Sequence, residues 1–196
     1  MNVSINQPSS SLSIIERLEK EREEQQEKLA SGRRINDAAD DAAGLQISER
    51  LTSQINGNAQ LSVNTQDQAN VNNVQSGQLS SISESLQRAN VLSIQSGSPL
   101  SDNQAIQGEL DQLTEEVNAI AGEVLGDSSF LSGLDASDPQ ATQAALETAF
   151  NTINQTATDL GAETNALESQ VATYETTRVN LSESRSRIQD TDFGQT

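Results

Sequence analysis

The chain has 196 residues, of which 33% are hydrophobic and 2% aromatic, with no cysteine, histidine or tryptophan. That composition excludes disulfides, thiol nucleophiles, imidazole bases and the usual zinc sites, and it leaves too little apolar material for a large spherical core. The formal charge of −18 makes nucleic acid a poor partner, and no apolar run approaches the ~18 residues of a membrane span, so neither is expected.

Residues 1–13 are rich in Ser and Asn, carry Pro8 and read as a mobile arm. They lack the basic start and apolar stretch of a secretory signal, which points to the cytoplasm or to exit by a route without a cleaved signal. From Ile14 to about residue 30 a helix is expected. In residues 16–28, ERLEKEREEQQEK, ten of thirteen are charged, with Glu16/Lys20 and Glu24/Lys28 four apart. Ile15, Leu18 and Leu29 alone give this helix an apolar edge, so it should be marginal without a partner. Gly32 then interrupts, and the next stretch, RRINDAADDAAGLQISERL, pairs two arginines with an Asp-Asp step and places Gly44 inside a helical pattern. Asp40 and Asp41 suit the first turn of a helix, where the dipole favours negative charge.

A helix over 44–96 follows, marked by Ile47, Leu51 and Ile55 and then Val71, Val74, Ile82, Leu86 and Ala89, with Gly57 as a weak point. More than half of residues 52–104 are Asn, Gln, Ser or Thr, yet the helical spacing survives and no proline occurs in this stretch before Pro99. SGSPLSDN at 96–103 is a turn. Over 103–124, Ile106, Leu110, Leu113, Val117, Ile120 and Val124 alternate spacings of four and three, which is a heptad seam. LGDSSFLSGLDASDPQ at 125–140 reads as a solvated loop with Pro139 near its end. Over 143–188, Leu146, Ile153, Leu160, Leu167, Tyr174, Leu181 and Ile188 fall seven apart, with Phe150, Ala157 and Val171 between them and Gly161 as the internal breaker. Such a helix is ~65–70 Å long at ~1.5 Å per residue, so an all-α, elongated antiparallel bundle or coiled-coil rod is expected.

Little chemistry is legible. Asp192-Phe193-Gly194 matches the metal-binding triplet of protein kinases, but neither a glycine-rich phosphate loop nor a catalytic-loop signature accompanies it. Asp127, Asp135 and Asp138 in the loop lack the spacing and closing glutamate of a calcium loop. No catalytic, metal or cofactor residue is assigned, and no enzyme is expected.

The segment SGRRINDAADDAAGLQISERLTSQING at 31–57 resembles the N-terminal conserved region of bacterial flagellins nearly residue by residue. LQRANVLSIQSGS at 86–98 and DLGAETNALES with NLSESRSRIQDTD, within 159–192, are similar to further flagellin segments. The resemblance implies a self-assembling subunit of the filament, exported unfolded through the flagellar type III channel with an export chaperone and polymerised outside the cell with other flagellin subunits. It implies a division into an arm, inner-core-type helix and spoke at 1–43 and an outer-core-type rod at 44–196, with the loop at 125–142 in place of the variable domain. The spoke would comprise Gly32, Arg33, Arg34, Ile35 and Asn36, with Gly32 permitting the break and the arginines making contacts between elements.

In the same family a vertebrate Toll-like receptor reads an Arg-Leu-Glu group. The matching positions here are Arg88, Leu92 and Glu109, although Asn90 and Val91 stand where an Arg-Glu pair is usual. Those three residues equally suit a surface that packs neighbouring subunits. Flagellins continue past the SRIxDxD motif into a C-terminal inner-core helix, whereas this sequence stops at Thr196. The expectation is therefore either part of a longer subunit or a natural short homologue that does not polymerise and acts in filament interaction or receptor recognition. A hook-filament junction protein, which shares the helical plan, is the remaining alternative.

Overall fold

The computed structural model describes residues 8–191, with side chains from residue 13 onward, as four α-helices. In chain order they are α1 (Pro8–Ser31), α2 (Ala38–Ser96), α3 (Asn103–Val124) and α4 (Pro139–Gln189). The fold is all-α as expected, with no strand among the described residues. The Asp192-Phe193-Gly194 triplet and residues 1–7 of the expected arm lie outside the described residues. Helix α1 starts at Pro8, earlier than expected, because a proline in the first turn has no N–H to leave unpaired and a φ already set for the helix.

The chain forms two compact units, to both of which α2 and α4 contribute. One consists of the described residues up to Ser62 and those from Thr173 onward; the other is Val63–Ala172.

The second unit contains the hydrophobic core. Leu79, Ile82, Leu86, Ala89 and Leu92 of α2 meet Ile106, Leu110, Leu113, Val117 and Ala121 of α3 and Leu146, Ala149, Ile153 and Leu160 of α4. Each fully buried Leu or Ile contributes on the order of 1.5–3 kcal/mol. The α3 heptad is buried as expected, with Ile120 and Val124 half-buried at its edge. On α2 the expectation fails at Val71 and Val74, which are 49% and 63% exposed, while Asn72 is buried. Stepping back seven residues from Leu79 reaches Asn72, so the inward face is fixed by helix geometry and the valines flank it. On α4, Ala149 is buried where Ala157 was expected.

The loop between α3 and α4 is also not a solvated one. Leu131, Leu134 and Ala136 are buried against the core. Gly126, at φ 71°, closes α3 in the left-handed region. Asp138 Oδ1 accepts the N–H of Ala141 at 3.0 Å, which starts α4 at Pro139 rather than at 143. Asp102 caps α3 likewise, accepting the N–H groups of Gln104 and Ala105 at 3.1 and 3.2 Å.

The first unit is lean in apolar packing. Ile35 is its buried large apolar side chain, and Ser48 and Ser62 are its buried polar ones. Leu51, Ile55, Tyr174, Leu181 and Ile188 are half-buried, and Ile47 is exposed. On α1, Ile14, Ile15, Leu18 and Leu29 are about half exposed. Gly57 and Gly161 interrupt neither α2 nor α4.

Candidate functional site

The elbow at 32–41, between α1 and α2, is built residue by residue from its hydrogen bonds. Gly32 takes φ 67°, a conformation that costs an L side chain about 1–2 kcal/mol. The chain then runs antiparallel to the end of α4, with Arg33 paired to Asp190 in an isolated bridge. The last carbonyls of any helix lack intrahelical donors. Here the N–H of Arg34 donates to Gln189 O at 2.7 Å, that of Ile35 to the same oxygen at 3.4 Å, and that of Thr191 back to Gly32 O at 3.0 Å. The Arg34 guanidinium adds a charge-assisted bond from Nη2 to Ile188 O at 2.7 Å, at the negative end of the helix dipole.

Three aspartates then organise the start of α2. Asp37 Oδ1 accepts the N–H groups of Ala39 and Asp40 at 2.7 and 3.3 Å. Asp41 has extended backbone, φ −162° and ψ 95°, and its Oδ1 accepts from Ala43 and Gly44 at 3.1 and 2.9 Å. It is thus the N-cap of the long part of α2, and a single turn precedes it from Ala38; the helix was expected from 44 because that first turn is set by side-chain caps. Asp40 Oδ2 accepts the N–H groups of Asn36 and Asp37, while its Oδ1 meets Lys28 Nζ at 3.0 Å. These bonds, the backbone one from Asn36 first and then that of Lys28, hold the Asp40 carboxyl below the usual carboxylate range. Lys28 therefore reaches across the elbow instead of pairing with Glu24 along its own helix. Beneath the turn, Ile35 is 1% exposed and lies against Gly44.

Of the five residues expected at the spoke, Arg34 makes the contact between elements, Ile35 is the anchor and Gly32 supplies the break. Arg33 has an exposed side chain, and the Nδ2 of Asn36 is buried without an acceptor. The sequence reading missed Arg185, whose Nη1 donates to Thr52 Oγ1 at 3.3 Å. Its position was available from the heptad, since it lies four residues after Leu181 and three before Ile188.

In the second unit the structure brings Arg88 and Glu109 together. Arg88 Nε donates to Glu109 Oε1 at 2.6 Å, and Nη2 pairs with the same oxygen. Leu92 is not beside them on the surface; it is 7% exposed and part of the core. The loop aspartates serve as local acceptors: Asp127 Oδ1 for Ser129, Asp135 Oδ1 for Ser137, and Asp138 Oδ1 for Ala141. The bond from the Ser137 backbone lowers the Asp135 carboxyl from its ordinary value. Two amides on α3 pin the loop. Asn118 donates to Leu131 O at 2.8 Å and accepts its N–H at 2.7 Å, and Gln107 donates to Leu134 O at 3.0 Å and accepts from Ala136 at 2.8 Å. Among the described residues no group of three or more carboxylates could hold a metal ion, and no helix is long and apolar enough to cross a membrane.

Residues 3–136 match the family model of the bacterial flagellin N-terminal helical region, and residues 143–196 match that of the bacterial flagellin C-terminal helical region. The chain is 42% identical over 125 residues to a flagellin of Clostridium tyrobutyricum, covering 59% of this chain and 33% of the relative. It is 43% identical over 99 residues to the flagellar filament 41 kDa core protein of Borreliella burgdorferi, covering 49% and 30%. Similarity to the flagellar filament 33 kDa core protein of Treponema phagedenis is 29% over 223 aligned positions, covering 85% and 78%. The chain thus spans about a third of the length of the first two relatives.

Proposed function

Because the chain belongs to the bacterial flagellin family, we propose that it is a structural subunit of the flagellar filament, working by self-association and without catalysis. The observation that carries this reading is the presence of both flagellin helical regions on one chain, α1–α3 within the first and α4 from residue 143 onward within the second. Apolar side chains left outside the core, such as Leu18, Val74, Val91 and Ile94, support it as surface available for neighbouring subunits. In this reading the arm, α1 and elbow over 1–43 act as inner helix and spoke, and 44–196 acts as the outer rod. Export proceeds through the type III flagellar channel with a chaperone, and the protein works outside the cell. The test is incorporation of fluorescently labelled full chain at the ends of short filament seeds from the source bacterium. Labelled ends support a filament subunit; seeds that elongate with native flagellin while excluding this chain remove the reading.

A second reading is favoured by the exposed Arg88 side chain paired to Glu109 across two helices. It forms a charged surface feature suited to a Toll-like receptor or to an adjacent subunit, while Leu92 lies in the core. Receptor signalling unchanged by Arg88→Ala and Glu109→Ala would remove the receptor as its partner.

A further inference from the structure

A groove in the first unit is lined by Arg33, Asn36, Ser48, Thr52, Arg185 and Gln189, with Glu49 also at its wall. Arg33 and Arg185 take part in no ion pair among the described residues. Arg33 makes its bond to Ser31 through the backbone N–H, and Arg185 spends one guanidinium nitrogen on a neutral hydroxyl, Thr52 Oγ1. The Thr52 hydroxyl in turn donates to Ser48 O at 2.8 Å, so it holds Arg185 in place. A guanidinium is built to be met in bidentate fashion by a carboxylate. Two cations against the single carboxylate of Glu49 leave the lining with an excess of positive charge.

That polarity is unusual in a chain with 29 acidic and 11 basic residues. Any second copy presents mostly carboxylates, so charge complementarity names the occupant. We propose that this groove is a socket for an acidic side chain of a second copy of the chain, with Arg33 and Arg185 gripping the carboxylate. The choice of a second copy rests on the self-association reading above; the carboxylate-binding property of the groove does not.

The test uses the full chain with glutarate as the probe at constant ionic strength, followed by backbone amide NMR, in parallel with sedimentation velocity over a concentration series. The proposal expects saturable shifts confined to Asn36, Ser48, Glu49 and Arg185 that vanish in Arg33→Gln/Arg185→Gln. It also expects that double variant to need a roughly three- to fivefold higher concentration for half-association, the scale of one partly exposed ion pair. Arg33→Gln alone, whose side chain makes no hydrogen bond or ion pair among the described residues, serves as the variant that leaves the unit intact and should lose part of both effects. Glutarate shifts that are absent or spread evenly over the surface overturn the socket. Localised shifts with unaltered self-association of both variants overturn the second copy as occupant. Wild-type chain that never associates removes the assembly reading and the second-copy occupant together, while the titration still decides whether the groove binds carboxylate.

Discussion

Ile35 occupies the space that a side chain on Gly44 would fill: a Cβ built on Gly44 would stand 2.6 Å from Ile35 Cδ1 and 2.6 Å from Asp41 Oδ2. The buried anchor of the elbow and the cap of α2 thus both depend on one missing methyl group. Gly44→Ala should destabilise the first unit by about 1–3 kcal/mol, the range for forced overpacking, even though alanine is the better helix former. Gly57 and Gly161 have open space around them. Alanine at either should stabilise by up to about 1 kcal/mol. Urea unfolding of the three variants followed by far-UV circular dichroism separates the two behaviours, and a stabilised Gly44→Ala would contradict the packing described here.

Arg34→Ala removes the guanidinium bond to Ile188 O and leaves the backbone bonds to Gln189 in place. The expected loss is about 0.5–1.5 kcal/mol, with faster amide exchange at Thr191, whose N–H is held by Gly32 O in the same bridge. Hydrogen exchange by NMR reads this residue by residue. Arg33→Ala should leave exchange at Thr191 close to wild type.

The Asp40 carboxyl is held below its ordinary value by the N–H groups of Asn36 and Asp37 and by Lys28. A carboxyl with a depressed folded-state value contributes stability above its unfolded value, about 3.9, and loses it as pH falls through the lower folded value. The elbow should therefore keep its geometry at neutral pH and loosen below about pH 4. The amide shifts of Asn36 and Asp37 against pH measure it, and in Asp40→Asn that acid step should be missing. An inflection at neutral pH would contradict the assignment.

Asn118→Leu deletes both the donor and the acceptor that hold Leu131. Two backbone groups would be left to find water or stay unpaired, so a loss of about 2–4 kcal/mol is expected. Limited proteolysis between 125 and 138, compared with denaturant unfolding, distinguishes local release of this loop from global destabilisation.

Asn72 is 1% exposed, and its Nδ2 has no acceptor although its Oδ1 accepts from Gln68. Replacing it with Leu removes an uncompensated polar group from an otherwise apolar seam position and should raise stability by about 1 kcal/mol. A lowered melting temperature would mean that the amide is matched by a bond outside this chain's own fold.

The helices were legible because heptad spacing is a local property: Ile106, Leu110, Leu113 and Val117 declare their face from sequence alone, and all four are buried. Val71 and Val74 misled because apolar identity was followed where helix geometry had already passed the inward face to Asn72. Helix starts at Ala38 and Pro139 were missed for a related reason. Each is set by an aspartate side chain one residue upstream, and the sequence holds many aspartates that could cap or stay solvated.

Sequence by itself determined the helical class, the absence of thiol and imidazole chemistry, the Gly32 break and the segments that mark the family, because composition, periodicity and short contiguous motifs need no partner to be read. Only the tertiary structure decided which polar groups are used. Arg34 caps α4, Arg185 lies in a groove with Arg33, and Asn118 and Gln107 bind a loop, since each depends on a residue far along the chain whose approach no local pattern encodes. An unpaired arginine and a paired one read alike in sequence; distance to a carboxylate is what separates them.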